Sequence, residues 1–253
     1  IEHIGQARPY GDTNNVPLAS FNNNFEDRSI VRMELGLEAN KLEIARAAKM
    51  RIDSVGVKRN AIALALSISA NDIAFNGFNG GANYTYGILN DPGLNAYITV
   101  ATGGGGDTEW SGKTFEEITA DIRAAFQALR VQSGGNFNPE RDACTLGVAM
   151  AASEALNYTS QFGYSVYDFI KKNYPNCRVV AVPQFSGANG GENVMYLIAD
   201  RIGDSEVVEQ MVQSELFLVG TQPIAKGMIE DYSNATAGAV VTQPIGVVRL
   251  SGI

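Results

Sequence analysis

The sequence predicts an α+β protein that carries an extended N-terminal appendage. Residues 1–35 are rich in Asn and other polar groups and show little helical periodicity. Helical and strand patterns mix through the middle of the chain, whereas the tail from Glu206 to Ile253 is rich in β-branched residues interrupted by Gly and Pro. The order of arm, helices, mixed α/β and long terminal strands is typical of the α+β class.

The composition supports a folded protein and argues against two functions. The chain has 253 residues, of which 45% are hydrophobic and 18% are charged, as in ordinary globular proteins. Its net charge of −8 has the wrong sign for a protein that grips a phosphate backbone, so we expect no specific nucleic-acid readout. The longest unbroken apolar run, Ala61 to Leu66, is far shorter than the roughly 20 residues that span a bilayer, so no membrane anchor is expected.

The first third of the chain predicts one strand and one helix, followed by an ambiguous segment. Alternation over 29–35 predicts a strand that ends the arm. The Ala-rich residues 38–53 predict a first helix, and their apolar residues share one helical face: Leu42, Ala45, Ala48 and Ile52. Residues 59–75 alternate as in a strand, but their Ala content favours a helix, and periodicity alone leaves both open.

The remaining elements are predicted from turn signals and periodicity. Residues 76–93 form a glycine-rich bend that is closed by the turn Asp91-Pro92-Gly93. Beyond it we expect helices over 115–132, 151–157 and 165–173, strands over 96–101, 143–149, 178–182 and 194–199, and long strands in the tail.

The stretch TGGGGDTEWSGKT, residues 102–114, raises the possibility of a phosphate-binding loop. A Walker A loop needs four residues between its first Gly and the Gly-Lys pair, but Gly106 and Gly112 have five between them. Thr114 and Glu117 have capping-box spacing, which predicts Thr114 as the N-cap and leaves Lys113 outside the helix. We therefore interpret the stretch as a flexible loop and expect no nucleotide.

Other catalytic and metal-binding constellations are not supported by the residues present. The single His, His3, lies in the N-terminal few residues, which argues against triads and multi-His metal sites. Cys144 and Cys177 have no CxxC spacing and are interpreted as buried small hydrophobes. The acidic pairs Glu26-Asp27, Glu116-Glu117 and Glu230-Asp231 are interpreted as solvated faces or helix-start charges. The sequence thus predicts no catalytic, cofactor-binding or metal-binding residues.

Residues 72–77 and 86–93, together with the tail 238–252, resemble segments of the major capsid proteins of tailed bacteriophages and prophages. Residues 72–77, DIAFNG, followed by 86–93, YGILNDPG, are similar to the end of that family's spine helix and the turn after it. The tail 238–252, GAVVTQPIGVVRLSG, resembles its closing strands, in which a Pro-containing segment pairs back into the peripheral domain. The resemblance covers most of the chain and implies a fold of the Hong Kong 97 type, which encapsulin nanocompartments share, with residues 59–75 helical.

The resemblance also assigns segments of the chain to domains. Residues 1–35 would form the N-terminal arm and extended loop, 36–94 and 223–253 the peripheral domain with the spine helix and long strands, and 95–222 a mixed α/β axial domain. The axial domain would lie at the capsomer centre, with the loop 102–113 as a mobile element of it. No Lys precedes Lys41, so side-chain cross-linking from the extended loop, as in some relatives, is not expected.

The implied function is structural rather than enzymatic. The chain would assemble through homo-pentamers and homo-hexamers into an icosahedral shell around a DNA genome, with scaffold, portal and decoration proteins as partners. It would be made in the bacterial host cytoplasm and reside in the virion. Two alternatives remain: an encapsulin-like compartment shell that houses an enzyme cargo, and an α+β enzyme that uses paired carboxylates.

Overall fold

The computed structural model describes residues 2–4, 7, 9, 18, 20–22 and 25–253. Its strands are β1 (Glu2–Ile4), β2 (Ser20–Asn22), β3 (Val31–Asn40), β4 (Phe78–Gly80), β5 (Asn83–Thr85), β6 (Ile98–Thr99), β7 (Cys144–Ala149), β8 (Cys177–Val182), β9 (Val194–Ala199), β10 (Arg201–Ile202), β11 (Ser205–Glu206), β12 (Val208–Ile224), β13 (Gly227–Val241) and β14 (Val247–Ser251). Its α-helices are α1 (Lys41–Lys49), α2 (Ser54–Asn76), α3 (Phe115–Gln132) and α4 (Val166–Asn173).

One layer of the protein is a three-stranded antiparallel sheet with the order β12-β13-β3. Helix α2 packs across β13 and β3, and the small core between them contains Leu37, Ala39, Ile62 and Leu66. Strand β12 lies at the edge of this sheet, and its register with β13 shifts at several places between Gln210 and Gly220. Such bulges increase the twist of a strand.

The predicted first helix over 38–53 is wrong at its start and in its buried face. Residues 38–40 continue β3 because they pair with residues 227–229 of β13, and this long-range pairing outweighs the helical preference of the Ala-rich segment. Helix α1 therefore begins at Lys41 and ends at Lys49. The predicted apolar face is exposed at all four of its residues, whereas Ala47 is buried.

The ambiguous segment 59–75 lies within the 23-residue helix α2, which confirms the helix that the resemblance implies. Asp53 caps its start by accepting a hydrogen bond from the Gly56 N–H at 3.0 Å. Gly77 ends it with a φ of 70°, and a Cβ at this position would lie 2.5 Å from the Thr85 carbonyl oxygen. Only glycine satisfies both the left-handed backbone and this close approach.

The second layer is a five-stranded mixed sheet with the order β6-β14-β9-β7-β8. Helix α3 packs on β14 and β9 through its buried residues, which include Ile118, Ile122 and Leu129. The predicted strands over 143–149, 178–182 and 194–199 match β7, β8 and β9 to within one residue. The predicted strand 96–101 shortens to β6, and the predicted helix 151–157 is a 3-10 helix, Met150–Asn157.

The tail contributes strands to both sheets. The predicted boundary between the axial and peripheral domains, at 222/223, therefore does not coincide with a boundary between the two sheets. It falls inside β12, which belongs to the three-stranded sheet. Beyond Val241 the chain leaves the three-stranded sheet, because a 3-10 turn, Pro244–Gly246, redirects it. Strand β14 then pairs with β9 and β6 in the five-stranded sheet.

The last part of the predicted arm, residues 25–35, is described by the structure and is anchored by one buried guanidinium. The Arg28 side chain is 6% exposed and donates hydrogen bonds to the carbonyl oxygens of Tyr86 and Ala239 and to Asp91 Oδ2 at 3.1, 2.5 and 2.9 Å. Before it, β1 and β2 pair antiparallel, with Glu2 opposite Asn22. Of the predicted arm and extended loop, residues 1–35, positions 1, 5, 6, 8, 10–17, 19, 23 and 24 lie outside the described residues.

Candidate assembly surfaces

The glycine-rich stretch 102–114 is hydrogen-bonded to the start of α3, and the side chain of its Lys113 is buried. Lys113 Nζ lies 2.6 Å from Asp121 Oδ2, and the side chains of this ion pair are 1% and 6% exposed. The indole N–H of Trp110, which is fully buried, donates to the same carboxylate oxygen at 3.1 Å. The prediction of a flexible loop is therefore wrong for residues 110–113. The Lys113 ammonium forms a buried ion pair with Asp121.

The predicted capping box at the start of α3 is confirmed. Thr114 Oγ1 accepts a hydrogen bond from the Glu117 N–H, and a Glu117 carboxylate oxygen accepts one from the Thr114 N–H. The Gly104 N–H donates to the other Glu117 oxygen at 2.6 Å. These hydrogen bonds, first those from Thr114, lower the pKa of the Glu117 carboxyl.

Each acidic pair contains a glutamate that forms an ion pair or a capping hydrogen bond, and the interpretation of Glu230 is wrong. Glu117 is a helix-start charge, as predicted, and Glu26 lies 3.2 Å from the Arg28 guanidinium. Glu230 is not on a solvated face: its side chain is 5% exposed and accepts hydrogen bonds from Arg59 at 2.9 and 2.6 Å. The Tyr232 hydroxyl donates to Glu230 at 3.0 Å. The Arg59 hydrogen bonds lower the pKa of Glu230.

The two cysteines are neighbours in space, which their sequence spacing does not indicate. Cys144 and Cys177 are directly paired positions on the parallel strands β7 and β8, and both are buried free thiols. The interaction with Cys177, together with burial, raises the pKa of the Cys144 thiol, whereas the interaction with Cys144 lowers the pKa of the Cys177 thiol. His3 lies on β1, and its side chain is outside the part of the chain that the structure describes.

Helix α2 has apolar residues on two opposite faces. Ile62, Leu66 and Ile73 are buried on the inner face. Val57, Leu64 and Ile68 form an outer stripe whose exposed fractions are 61%, 63% and 59%. A helix that is apolar all round is normally buried all round, so the outer stripe has the character of an interface.

A groove beside α1 exposes a second apolar surface. Its cavity volume is about 860 Å³, and its apolar lining comes from Leu42, Ala47, Met50, Ile52 and Ala225. We call this surface the α1 groove. The exposed fractions of Leu42, Met50 and Ile52 are 62%, 66% and 50%, which is high for apolar side chains of this size.

The edge strand β12 is a third such surface. Its backbone pairs with β13 on one side only. Five of its large apolar residues are more than 40% exposed: Met211, Val212, Leu216, Leu218 and Val219. An exposed apolar edge strand favours association with another chain.

An aromatic loop before α4 adds a fourth exposed surface, on the five-stranded layer. Phe162 is 88% exposed, and Tyr164 and Tyr167 are about half exposed. Lys172 Nζ lies 5.4 Å from the Tyr164 ring centroid, and Lys171 Nζ lies 5.7 Å from that of Tyr167. This arrangement combines aromatic and cationic character at the exposed loop and the adjoining helix α4. None of the described helices is both long enough and apolar enough to cross a membrane.

Comparisons with solved structures show the fold. The capsid of Myoviridae phage XM1 is similar with a TM-score of 0.72 at 14% identity, over 100% of this chain and 83% of that one. The capsid of a native GTA particle is similar with a TM-score of 0.60 at 12% identity, over 99% and 82%. A satellite phage P4 procapsid gives 0.53 at 14% identity, over 99% and 86%. The predicted Hong Kong 97 type of fold is thereby confirmed.

The sequence comparison identifies the family. Among curated proteins, none matches this chain. The family described as Pa193 gp26 major capsid protein matches residues 1–252, almost the whole sequence. This match favours a capsid over the encapsulin-like alternative. The chain belongs to the Pa193 gp26 major capsid protein family and is a structural capsid protein.

Proposed function

We propose that the chain is the repeating subunit of an icosahedral shell that encloses a DNA genome, and that it assembles through homo-pentamers and homo-hexamers. The observation that carries the proposal is the outer stripe of α2, which leaves three large apolar residues of a 23-residue helix without cover in the single chain. The α1 groove and the edge strand β12 add further apolar surface of the kind that subunit contacts bury.

The proposal assigns positions to the two layers. The three-stranded sheet with α1 and α2 is the peripheral part of the subunit, and the five-stranded sheet with α3 and α4 is the axial part at the capsomer centre. The aromatic loop before α4 is then a contact within a capsomer. The subunit acts in the virion after synthesis in the bacterial cytoplasm, with scaffold, portal and decoration proteins as partners, and it performs no catalysis.

The test is assembly of the full chain, expressed alone and beside its neighbouring genes. Sedimentation velocity and negative-stain electron microscopy should show shells or rings of five and six subunits. The double variant L64D/I68D should remain a folded monomer, because both side chains are exposed in the single chain. V131D is the matched control, since Val131 is an exposed apolar residue at the end of α3. A wild-type chain that stays monomeric in every condition would contradict the proposal.

A further inference from the structure

The rim of the α1 groove is basic, although the chain as a whole has a net charge of −8. Lys41, Arg46 and Lys226 line the groove, and Lys49 and Arg51 lie at the end of α1. None of these five cations forms an ion pair with any described residue. The acid of the lining, Glu43, is already paired with Lys58 at 2.8 Å. The groove therefore has an apolar floor and three lining cations, Lys41, Arg46 and Lys226, that have no ion-pair partner among the described residues.

Arg51 lies between two residues that line the groove, Met50 and Ile52, and has an unusual backbone. Its φ of 58° makes it the only non-glycine residue with a left-handed backbone in the described part of the chain. Such a position, just after a helix, is normally occupied by Gly, which adopts it without strain. Strained backbone of this kind concentrates at functional sites. An arginine at this position places a cation between Met50 and Ile52 of the lining at the expense of local backbone energy.

The same chain carries a surface of complementary character on the edge strand β12. The strand contains Glu209 and Glu215 but no Lys or Arg, and its acids are interleaved with exposed apolar residues such as Met211 and Leu216. An acidic and apolar strand matches an apolar groove with a basic rim in both charge and hydrophobicity. The groove floor contains no aromatic side chain on which a nucleic-acid base would stack, so the lining favours a protein partner.

The two surfaces cannot meet within one subunit. Ala225, in the groove wall, directly follows β12, whereas Glu215 lies ten residues earlier in the sequence. A strand rises about 3.3 Å per residue, which places Glu215 roughly 30 Å from the groove of its own chain. Contact between them requires a second copy.

We propose that the α1 groove of one copy binds the edge strand β12 of a second copy, with Glu209 and Glu215 facing the basic rim. The inference rests on the proposed shell function and names one of its contacts. Because the two surfaces differ, the contact is heterologous, and repetition of a heterologous contact builds rings when the rotation closes. Apolar side chains of β12 fill the groove, and the rim cations fix which strand and which register is accepted.

Zero-length carbodiimide cross-linking of assembled full chain tests the contact directly. Shells made from an equal mixture of ¹⁴N- and ¹⁵N-labelled chains distinguish links between copies from links within a copy. We expect mixed-isotope links from Lys41, Lys49 or Lys226 to Glu209 or Glu215. Links between copies from these lysines to other carboxylates only, or no links from them in intact shells, would overturn the inference.

Charge reversal provides a second test. R46E/K49E should reduce assembly by more than about tenfold, because like charges then face each other. Adding E209K/E215K to the same chain should restore assembly. The control R141E/R178E changes the net charge equally at two exposed residues outside the four candidate surfaces and should assemble at the wild-type level. Thermal melting of each monomer verifies that all variants fold.

The outcomes separate the inference from the proposed function. A wild-type chain that never assembles contradicts the shell function itself. A wild-type chain that assembles, together with R46E/K49E that assembles equally well, overturns only the groove contact. Loss of binding to a fluorescent DNA duplex in R46E/K49E, with assembly unchanged, would assign the groove to nucleic acid and would also overturn it.

Discussion

At the residue scale, Arg51 shows how local strain and surface charge are connected. A left-handed backbone costs an L-residue about 1–2 kcal/mol relative to its preferred conformations. The backbone around Arg51 is fixed by hydrogen bonds at the end of α1, where the Arg51 and Ile52 N–H groups donate to Ala48 and Ala47 carbonyl oxygens at 3.1 and 3.0 Å. The hydrogen bonds at the helix end therefore impose the left-handed backbone conformation, although the residue at this position is an arginine.

Replacing Arg51 with Gly should stabilise the monomer. Relief of the left-handed strain exceeds the added entropy of an unfolded glycine, so R51G should raise the free energy of unfolding by about 0.5–1 kcal/mol. Lys49 is the matched control, because it lies in regular helix and K49G should lower that free energy by about 1 kcal/mol. Urea denaturation measures both. A loss of stability in R51G would show that Arg51 contacts outweigh the strain.

The buried ion pair of Lys113 and Asp121 should be sensitive to removal of one partner. K113M leaves the Asp121 carboxylate buried with only the Trp110 N–H as a described partner. It should lower the free energy of unfolding by about 3–5 kcal/mol. The double variant K113M/D121N should recover much of this loss, because no buried charge remains and the amide oxygen still accepts from Trp110. A double-mutant cycle by urea denaturation measures the coupling. If the effects of the two single substitutions on the free energy of unfolding were additive, the prediction that Lys113 and Asp121 form a coupled buried pair would be contradicted.

The Arg59–Glu230 pair should make stability depend on pH in the acidic range. Because the folded-state pKa of Glu230 is lowered by the Arg59 hydrogen bonds, its stabilising contribution is complete above the ordinary carboxyl pKa of about 4.3. That contribution is lost as the pH falls through the lower folded-state pKa. E230Q should therefore flatten the dependence of unfolding free energy on pH below about 5. E116Q, at an exposed residue, is the control; an unchanged slope in E230Q would contradict the prediction.

At the element scale, α2 has one face that is buried in the subunit and one exposed face that we propose for assembly. Leu66 is 4% exposed against the three-stranded sheet, whereas Leu64, two residues earlier, is 63% exposed. The same substitution at the two positions therefore probes the inner core and the outer stripe.

L66A should lower the free energy of unfolding of the monomer by about 2–5 kcal/mol, because it removes buried methyl groups and leaves a cavity. L64A should change it by less than about 0.5 kcal/mol, since the side chain is exposed in the single chain. Chemical denaturation of the monomers measures both effects, and assembly yield should respond to L64A as well. Equal destabilisation of the monomer by the two variants would refute this division of α2.

Elements with strong local signals were predictable from sequence, and elements defined by distant contacts were not. Helix α3 was placed correctly at both ends because Thr114 and Glu117 specify its start by a capping box. The start of α1 was misplaced because residues 38–40 are held by β13, nearly two hundred positions later. Helix α2 was undecided because it is apolar on both faces, a property that removes its helical periodicity.

The candidate surfaces were harder to predict for the same reason. A pattern of apolar residues predicts a buried face, but it does not state whether the cover comes from the same chain. Leu42 and Ile52 were assigned to one helical face, and that face is uncovered in the subunit. Glu230 gave no local sign of its partner, because Arg59 lies 171 positions away.

At the scale of the whole molecule, the two layers have cores of very different size. The core of the five-stranded layer runs from Trp110 through α3 and all the central strands to Ile253. The core under α2 has only Leu37, Ala39, Ile62 and Leu66 as fully buried members. Local stability follows the amount of buried apolar contact, so the three-stranded layer should open more readily.

Amide hydrogen exchange should show this difference in the unassembled chain. Amides of β7 and β9, in the centre of the five-stranded sheet, should exchange most slowly, and outward-facing amides of β12 should exchange fastest. Assembly should slow exchange in β12 and α1 more than in β7. Uniform protection across both layers, or no change in β12 on assembly, would contradict the expectation.

The burial of Trp110 makes the five-stranded layer its own optical reporter. The chain contains a single Trp, and its indole is fully shielded beside α3 and held by Asp121. Its fluorescence therefore has the blue-shifted emission of an apolar site and moves to the red only when this layer opens. The proposed contacts through α2 and the α1 groove should leave that emission unchanged, so one fluorescence measurement should distinguish a loosened subunit from an assembling one.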